Sequence, residues 1–239
     1  IYFHHLALIQ HYHNKKELSK GTFEKHLKVF DIEKLRTLYF YSKLFNIDYE
    51  KNKYISKFLN EYPNHSFSSY LKKTNKQTLK KTITPKEGIS EALYNLAQTL
   101  YSQNMFETSL ALAQNALYLN PNNHLVKYLI SLNLNSLNKK ELALNYMKSI
   151  PQDSYSKWNA IISTAELYLD LEKYNLASEY LLKQQKAYPK KTELLYKLGE
   201  LYHVKKNYQN AIEYFSKAIS SLTVIENKHW YLYYSRGMS

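Results

Sequence analysis

The second half of the sequence repeats with a period of 34 residues. One slot always holds a small residue, and a second small-residue slot follows twelve positions later. The first slot is occupied by Ala97, Ser131, Ala165 and Gly199, and the second by Ser109, Ala143, Ala177 and Ala211. A period between 20 and 50 residues indicates a solenoid, in which each unit buries its apolar face against its neighbours.

Each copy has the pattern of two helices joined by a short polar turn. In the fourth copy, Leu195, Leu198 and Tyr202 recur at helical spacing, the turn reads "KKNYQ", and Phe215 belongs to the second helix. The chain has only 4 Gly and 5 Pro, which leaves little material for the many tight turns of a β-sandwich or barrel. The sequence therefore predicts an all-α fold of antiparallel helix pairs.

Gly199 interrupts a predicted helix in a chain that is poor in glycine. We explain it by a close crossing of the two helices of one pair, where only a small side chain fits. Glycine costs about 1 kcal/mol of helix propensity relative to alanine, whereas a bulky residue at the crossing costs about 1–3 kcal/mol. We therefore expect Gly199→Leu to destabilise the fold more than Gly199→Ala, with alanine at best neutral.

The pattern resembles the tetratricopeptide repeat (TPR) family. The fourth copy carries the family's motif at Leu195, Leu198, Gly199, Tyr202, Ala211, Phe215 and Ala218. The resemblance implies a right-handed α-solenoid with repeats at 90–123, 124–157, 158–191 and 192–225. Lys127 and Gln184 depart from the motif, and we expect local bends there. The C-terminal tail is similar to TPR proteins of alphaproteobacteria.

The flanking segments follow the period less closely. We predict degenerate TPR-like helical repeats over 1–65, with Gly21 near the close crossing of the first pair. Residues 66–89 are interpreted as a basic linker or short helix that ends before a helix starting at Ser90. Residues 226–239 begin a further, truncated repeat. We expect the natural chain to be longer at both ends, so the sequence is compatible with a cytoplasmic location and with the periplasmic side of a bacterial envelope.

In TPR proteins the first helix of each repeat lines a concave groove that binds an extended or helical peptide. Carrying the family's inward-facing positions over gives the predicted peptide-binding residues Tyr94, Gln98, Tyr101, Tyr128, Leu132, Asn135, Asn159, Ile162, Glu166, Leu169, Glu193, Tyr196, Glu200 and His203. This lining is aromatic and mildly acidic, which favours apolar or aromatic segments of neutral or positive charge. The clamp by which some TPR proteins hold a C-terminal carboxylate is missing from the corresponding positions.

Catalytic and metal-binding signals are absent from the sequence. The chain contains no Cys, which excludes disulfides and thiolate chemistry, and we find no phosphate-binding loop and no hydrolase motif. His4, His5, His11 and His13 include no pair at the four-residue spacing that brings two ligands to one helix face. We therefore expect neither catalysis, nor a metal, nor a cofactor.

The lysine-rich run over 71–81 raises the question of nucleic-acid binding. Its lysines share one predicted helix face, but aromatic residues are missing from the run after Tyr70, and arginine occurs only at Arg36 and Arg236. The sequence favours a scaffold that binds protein or peptide segments and disfavours nucleic acid. Two alternatives stay open: a regulatory or substrate-presenting segment of a larger enzyme such as a transferase, and RNA binding through the lysine-rich N-terminal third.

No apolar run is long enough to span a membrane, and the sequence does not indicate an oligomeric state.

Overall fold

A computed structural model describes residues 2–29, 34–45, 47, 52–63, 65–73, 83–152, 154, 156–222 and 224–239. The described residues are helical or lie in turns and connections, and none forms a β-strand. The chain divides into two compact units. Unit 1 comprises 1–138 and 150–157, and unit 2 comprises 139–149 and 158–239.

The helices follow one another in antiparallel pairs joined by short turns. Those of unit 1 are α1 (Tyr2–Tyr12), α2 (Lys16–Leu27), α3 (Leu35–Leu44), α4 (Lys53–Glu61), α5 (Ser66–Lys73), α6 (Pro85–Ser102), α7 (Phe106–Leu119) and α8 (His124–Ser136). Those of unit 2 are α9 (Lys140–Lys148), α10 (Lys157–Asp170), α11 (Tyr174–Ala187), α12 (Thr192–Val204), α13 (Tyr208–Ser220) and α14 (Trp230–Gly237). The first residue of α10, Lys157, belongs to unit 1.

The turns inside the helix pairs share one backbone conformation. Asn104, Asn138, Glu172 and Lys206 have φ angles of 61°, 57°, 56° and 57°, and they are spaced at the 34-residue period. A residue in the left-handed region ends a helix and reverses the chain. Asn14, between α1 and α2, has the same conformation with a φ of 59°. The first helix pair is therefore built like those of the periodic region.

The close crossing of the first pair lies at Ala7 and Ser19. The Ser19 hydroxyl donates to the Ala7 carbonyl at 2.7 Å, as the Ser109 hydroxyl does to Ala97 at 2.7 Å. A Cβ on Gly21 would meet nothing within 4 Å. The prediction that Gly21 lies at the crossing is therefore wrong, because Ala7 and Ser19 take the two small-residue slots.

Helix α6 begins at Pro85 and not at the predicted Ser90. Thr84 and Glu87 form a capping box: the Thr84 hydroxyl accepts from the Glu87 N–H at 3.2 Å, and the Glu87 carboxylate accepts from the Thr84 N–H at 2.8 Å. Pro85 lacks an N–H and has a φ suited to the first turn. These local signals outweigh the repeat boundary and extend the helix upstream.

Gly199 lies against the ring of Phe215. An added Cβ would be 2.5 Å from Cδ1 and 2.9 Å from Cζ of that ring, distances that real Cβ atoms essentially never show. The close crossing therefore exists as predicted. Alanine should therefore destabilise this crossing as well, since even one methyl group overlaps a buried ring.

Helix α8 shows which face of a first helix is buried by repeat stacking. Val126, Ile130 and Asn133 are fully buried on the helix that packs against α7. The residues one period earlier on α6 are Ala92, Leu96 and Thr99, and all three are exposed. No preceding repeat stacks on this face of α6 within the part of unit 1 that the structure describes.

Helices α1–α5 have a hydrophobic core of their own. Its buried residues are Ala7, Leu8, Phe23, Leu27, Leu38, Phe40, Tyr41, Leu44, Ile47, Tyr54, Ile55, Phe58, Phe67, Leu71 and Ile83. Six of these residues are aromatic, and Phe23 contacts both Tyr41 and Phe45. Apart from Ile83, which precedes α6, the residues of this core lie within 2–73, and we call the described residues of that range the N-terminal module.

Candidate peptide-binding surfaces

Helix α6 carries the first three predicted peptide-binding residues, and their environments differ. Tyr94 is only 8% exposed, with the Arg36 guanidinium 5.7 Å from its ring centroid. Burial raises the pKa of Tyr94 to about 12. Gln98 is exposed, and Tyr101 is half-buried against the ring of Phe106. Tyr94 is therefore buried in this structure, and its role in peptide binding stays a prediction.

Helix α8 presents its three predicted residues on an accessible face. Asn135 is exposed, whereas Tyr128 and Leu132 are half-buried. The three residues combine an aromatic ring, an aliphatic side chain and an amide within one helix of unit 1.

Helix α10 of unit 2 has a comparable combination. Asn159 and Glu166 are exposed, and Ile162 and Leu169 are half-buried. An amide, a carboxylate and two aliphatic side chains are therefore accessible on this helix.

Lys197 modifies the acidic character that the sequence predicts for unit 2. Its Nζ lies 3.0 Å from Glu166 Oε1 and 2.8 Å from Glu200 Oε2. Burial alone would lower the pKa of Lys197, but the two carboxylates outweigh it and raise the pKa. Sequence reasoning missed Lys197, although its three-residue spacing from Glu200 is a readable signal.

The other predicted residues of α12 contact neighbouring helices. The Tyr196 ring lies edge-on to Tyr231 with centroids 4.9 Å apart, and His203 Nδ1 is 2.8 Å from the Ser239 hydroxyl. Both are half-buried, because α14 packs along this side of unit 2. Glu193 is exposed and accepts a hydrogen bond from the indole of Trp158 at 2.5 Å.

Glu91 is a charged residue of α6 that the prediction omitted. It is fully buried, and Arg36 donates to its two oxygens from Nε at 2.6 Å and from Nη2 at 2.5 Å. His4 Nε2 lies 3.4 Å from Oε1. Burial alone would raise the pKa of Glu91, but Arg36 and His4 lower it to about 2. Asn159 and Glu193 hold the same repeat position, a signal that could have identified Glu91.

A cavity of about 350 Å³ opens beside Arg36 in unit 1. Side chains of α3 and α5 and the beginning of α8 line it, among them Lys43, Tyr70, Asn123 and His124. The surface of the N-terminal module next to Arg36 is therefore not completely packed against the repeats.

The remaining features give no sign of another kind of site. The described residues contain no group of three or more His, Cys, Asp or Glu that could hold a metal ion. Among them, no helix has both the length and the apolar character that a membrane crossing requires. Lys76, Lys80 and Lys81 of the lysine-rich run lie outside the described residues.

Comparisons with known proteins agree with the helical architecture. Models of the tetratricopeptide repeat match residues 90–123 and 163–222. No curated protein matches the sequence significantly.

Several solved structures share the fold. A tetratricopeptide repeat protein from Parabacteroides merdae is 16% identical with a TM-score of 0.54, over 92% of this chain and 71% of its own. MamA from Desulfovibrio magneticus is 18% identical with a TM-score of 0.52, over 66% and 86–87% of the two chains. PilW, described as a type IV pilus biogenesis factor, is 18% identical with a TM-score of 0.52, over 76% and 84%.

At these identities the likeness concerns the fold alone. The predicted all-α solenoid is confirmed, and folds of this class are typically scaffolds for protein interaction. The 34-residue period, the recurring left-handed turns and the two family matches agree with one another, and residues 90–123 and 163–222 of this chain are tetratricopeptide repeats.

Proposed function

We propose that this protein is a non-catalytic scaffold that binds protein or peptide segments on the inward-facing positions of its first helices. By holding such segments it would help to assemble a multiprotein complex. The observation that carries the proposal is the surface of α8, where Asn135 is exposed beside half-buried Tyr128 and Leu132. In unit 2, α10 offers a similar set.

These side chains suit a peptide for two physical reasons. An amide both donates and accepts, so Asn135 and Asn159 can each pair with the peptide backbone of a bound segment. Half-buried aromatic and aliphatic side chains provide apolar contact area at a small further entropic cost, because they are already partly ordered.

The charges favour a neutral or basic partner. Glu166 and Glu200 share Lys197, so their combined charge is partly neutralised. The hydrogen-bond partner of Glu193 is the uncharged indole of Trp158. An acidic segment would be repelled by this carboxylate, whereas a basic segment would form a new ion pair with it.

The test compares the partners retained by the wild-type chain with those retained by a Gln98→Arg/Asn135→Arg/Asn159→Arg variant. All three positions are exposed, so the substitutions should leave the fold intact. We expect the variant to lose partners that the wild type retains, measured by quantitative mass spectrometry after affinity capture.

The matched control places three arginines on second helices, as Gln114→Arg/Asn145→Arg/Glu179→Arg. These residues are equally exposed on α7, α9 and α11. The control should retain the wild-type partners. If both variants retain the same partners as the wild type, the first-helix surfaces do not bind them and the proposal fails.

A further inference from the structure

The N-terminal module contacts α6 through several polar and cation–π contacts. They are the Arg36 and His4 contacts to Glu91, the Arg36 guanidinium over Tyr94, and His5 Nε2 at 3.1 Å from the Asn95 amide. Apart from Ile83, the apolar core of the module is formed by its own residues. A module with such a core can release individual contacts to α6 by local opening without losing its own fold.

Glu91 and the surrounding rings form a site suited to a guanidinium group. The carboxylate binds Arg36 through two parallel hydrogen bonds, and the guanidinium carbon lies 4.9, 4.7 and 5.7 Å from the ring centroids of Tyr39, Phe40 and Tyr94. A planar guanidinium donates two parallel hydrogen bonds to one carboxylate while its face lies against the rings, whereas an ammonium group lacks this planar, two-pronged geometry. The site therefore favours arginine, in a chain that otherwise uses lysine for nearly all its basic residues.

The site occupies peptide-binding positions of the first repeat. Glu91 holds the repeat position of Asn159, and Tyr94 holds that of Tyr128. Both of those equivalents are accessible, whereas the α6 residues are buried. The stacking face of α6 is accessible instead, since Leu96 on that face is 52% exposed. The N-terminal module therefore covers the ligand face of α6 and leaves its stacking face open.

We propose that α3 is an intramolecular ligand of the first repeat, and that the Glu91–Tyr94 site binds the arginine of a partner segment when Arg36 leaves it. The partner is a basic segment that carries an arginine, because a guanidinium reproduces both the two hydrogen bonds to Glu91 and the planar contact with the three rings. The cavity beside Arg36 gives such a segment a place to approach, and 16% of the Arg36 side chain is already exposed. This inference rests on the proposed function, since it assigns a partner class to the same first-helix positions.

The experiment uses the full chain and two fluorescein-labelled twelve-residue peptides. One contains a single arginine beside a tyrosine in an alanine and glutamine background, and the other has citrulline in place of the arginine. Arg36→Met vacates the site and removes the internal competitor. We expect it to bind the arginine peptide about tenfold or more tightly than the wild type does, because a site closed in most molecules lowers the apparent affinity by the open fraction.

Two controls fix the interpretation. Arg236→Met removes the other, exposed arginine and should leave the affinity unchanged. Adding Glu91→Gln to Arg36→Met should abolish the preference for arginine over citrulline. An unchanged affinity in Arg36→Met, or equal binding of the two peptides, overturns the inference.

A second measurement on the wild-type chain covers the case in which Arg36→Met does not fold. At high concentrations of the arginine peptide, hydrogen exchange should increase in residues 35–44 and stay constant in residues 192–204. No increase in 35–44 overturns the inference. The proposed function can survive this result, because it is tested separately by the arginine substitutions at Gln98, Asn135 and Asn159.

Discussion

Replacing Gly199 by alanine tests the packing of the helix pair α12–α13 most directly. The added Cβ would lie 2.5 Å from Cδ1 of Phe215, a ring that is itself 1% exposed and cannot turn towards solvent. Either the ring or the helix backbone must shift. Gly21 is the matched control, because it also lies inside a helix but has nothing within 4 Å of an added Cβ.

Two opposing effects set the size of the change. Alanine gains about 1 kcal/mol of helix propensity over glycine, and overpacking a well-packed core costs about 1–3 kcal/mol. At Gly199 both apply, so we expect the free energy of unfolding to fall by about 1 kcal/mol. At Gly21 only the first applies, and we expect a gain of about 0.5–1 kcal/mol.

Urea unfolding followed by circular dichroism measures both changes, and hydrogen exchange in α12 and α13 assigns the loss at Gly199 to this helix pair. Phe215→Leu supplies the double-mutant test: with the smaller side chain in place, Gly199→Ala should become neutral or stabilising. The reasoning is refuted if the two glycine substitutions change stability in the same direction, or if Phe215→Leu leaves the effect of Gly199→Ala unaltered.

Three further predictions concern unit 1. Thr84→Ala removes the capping box of α6 and should cost about 1 kcal/mol in urea unfolding, while Thr99→Ala, within the same helix, should cost less. Ser19→Ala removes the hydroxyl that bonds to Ala7 and should lower the free energy of unfolding by about 0.5–1.5 kcal/mol; no measurable loss would mean that this bond contributes nothing net. The folded-state pKa of Glu91, about 2, lies below the ordinary value of 4.5. Its contribution to the free energy of unfolding, roughly 3 kcal/mol, should therefore be complete above pH 4.5 and be lost as the pH falls towards 2. Glu91→Gln should reduce this loss of stability in acid.

The repeat register could be predicted from the sequence because it depends on local sterics. A small residue is required wherever two helices of one pair cross closely, and that requirement recurs at each period. The same reasoning located Gly199 correctly. It left the effect of alanine there open, because the size of the neighbouring side chain, Phe215, matters as much as the spacing.

The start of α6 was predictable but was assigned from the wrong signal. Thr84 and Glu87 have the three-residue spacing of a capping box, and Pro85 stands at the first helical position. The period places a repeat boundary at Ser90, and a boundary of the repeat need not be the end of a helix. Local capping energetics decide where the helix begins.

Accessibility of the predicted binding residues could not be derived from the period. Tyr94, Tyr128 and Tyr196 occupy the same repeat position, so the sequence treats them alike. In unit 1, Arg36 covers Tyr94, a contact that spans more than fifty residues of sequence, while Tyr128 stays accessible. In unit 2, Tyr231 of α14 packs against Tyr196.

Elements outside the regular repeats therefore determine which of the equivalent positions can contact a partner. The repeats place equivalent residues at every period, and a segment of the chain that contacts one of them removes it from the accessible surface. Exposing Tyr94 requires breaking the Arg36–Glu91 pair, whose partners are hard to separate because a buried carboxylate without its cation is strongly destabilised. A partner can expose Tyr94 at acceptable cost only by bringing its own cation to Glu91. On our proposal, this requirement makes the first repeat selective for an arginine-bearing segment. A partner that binds α8 needs to displace no internal cation.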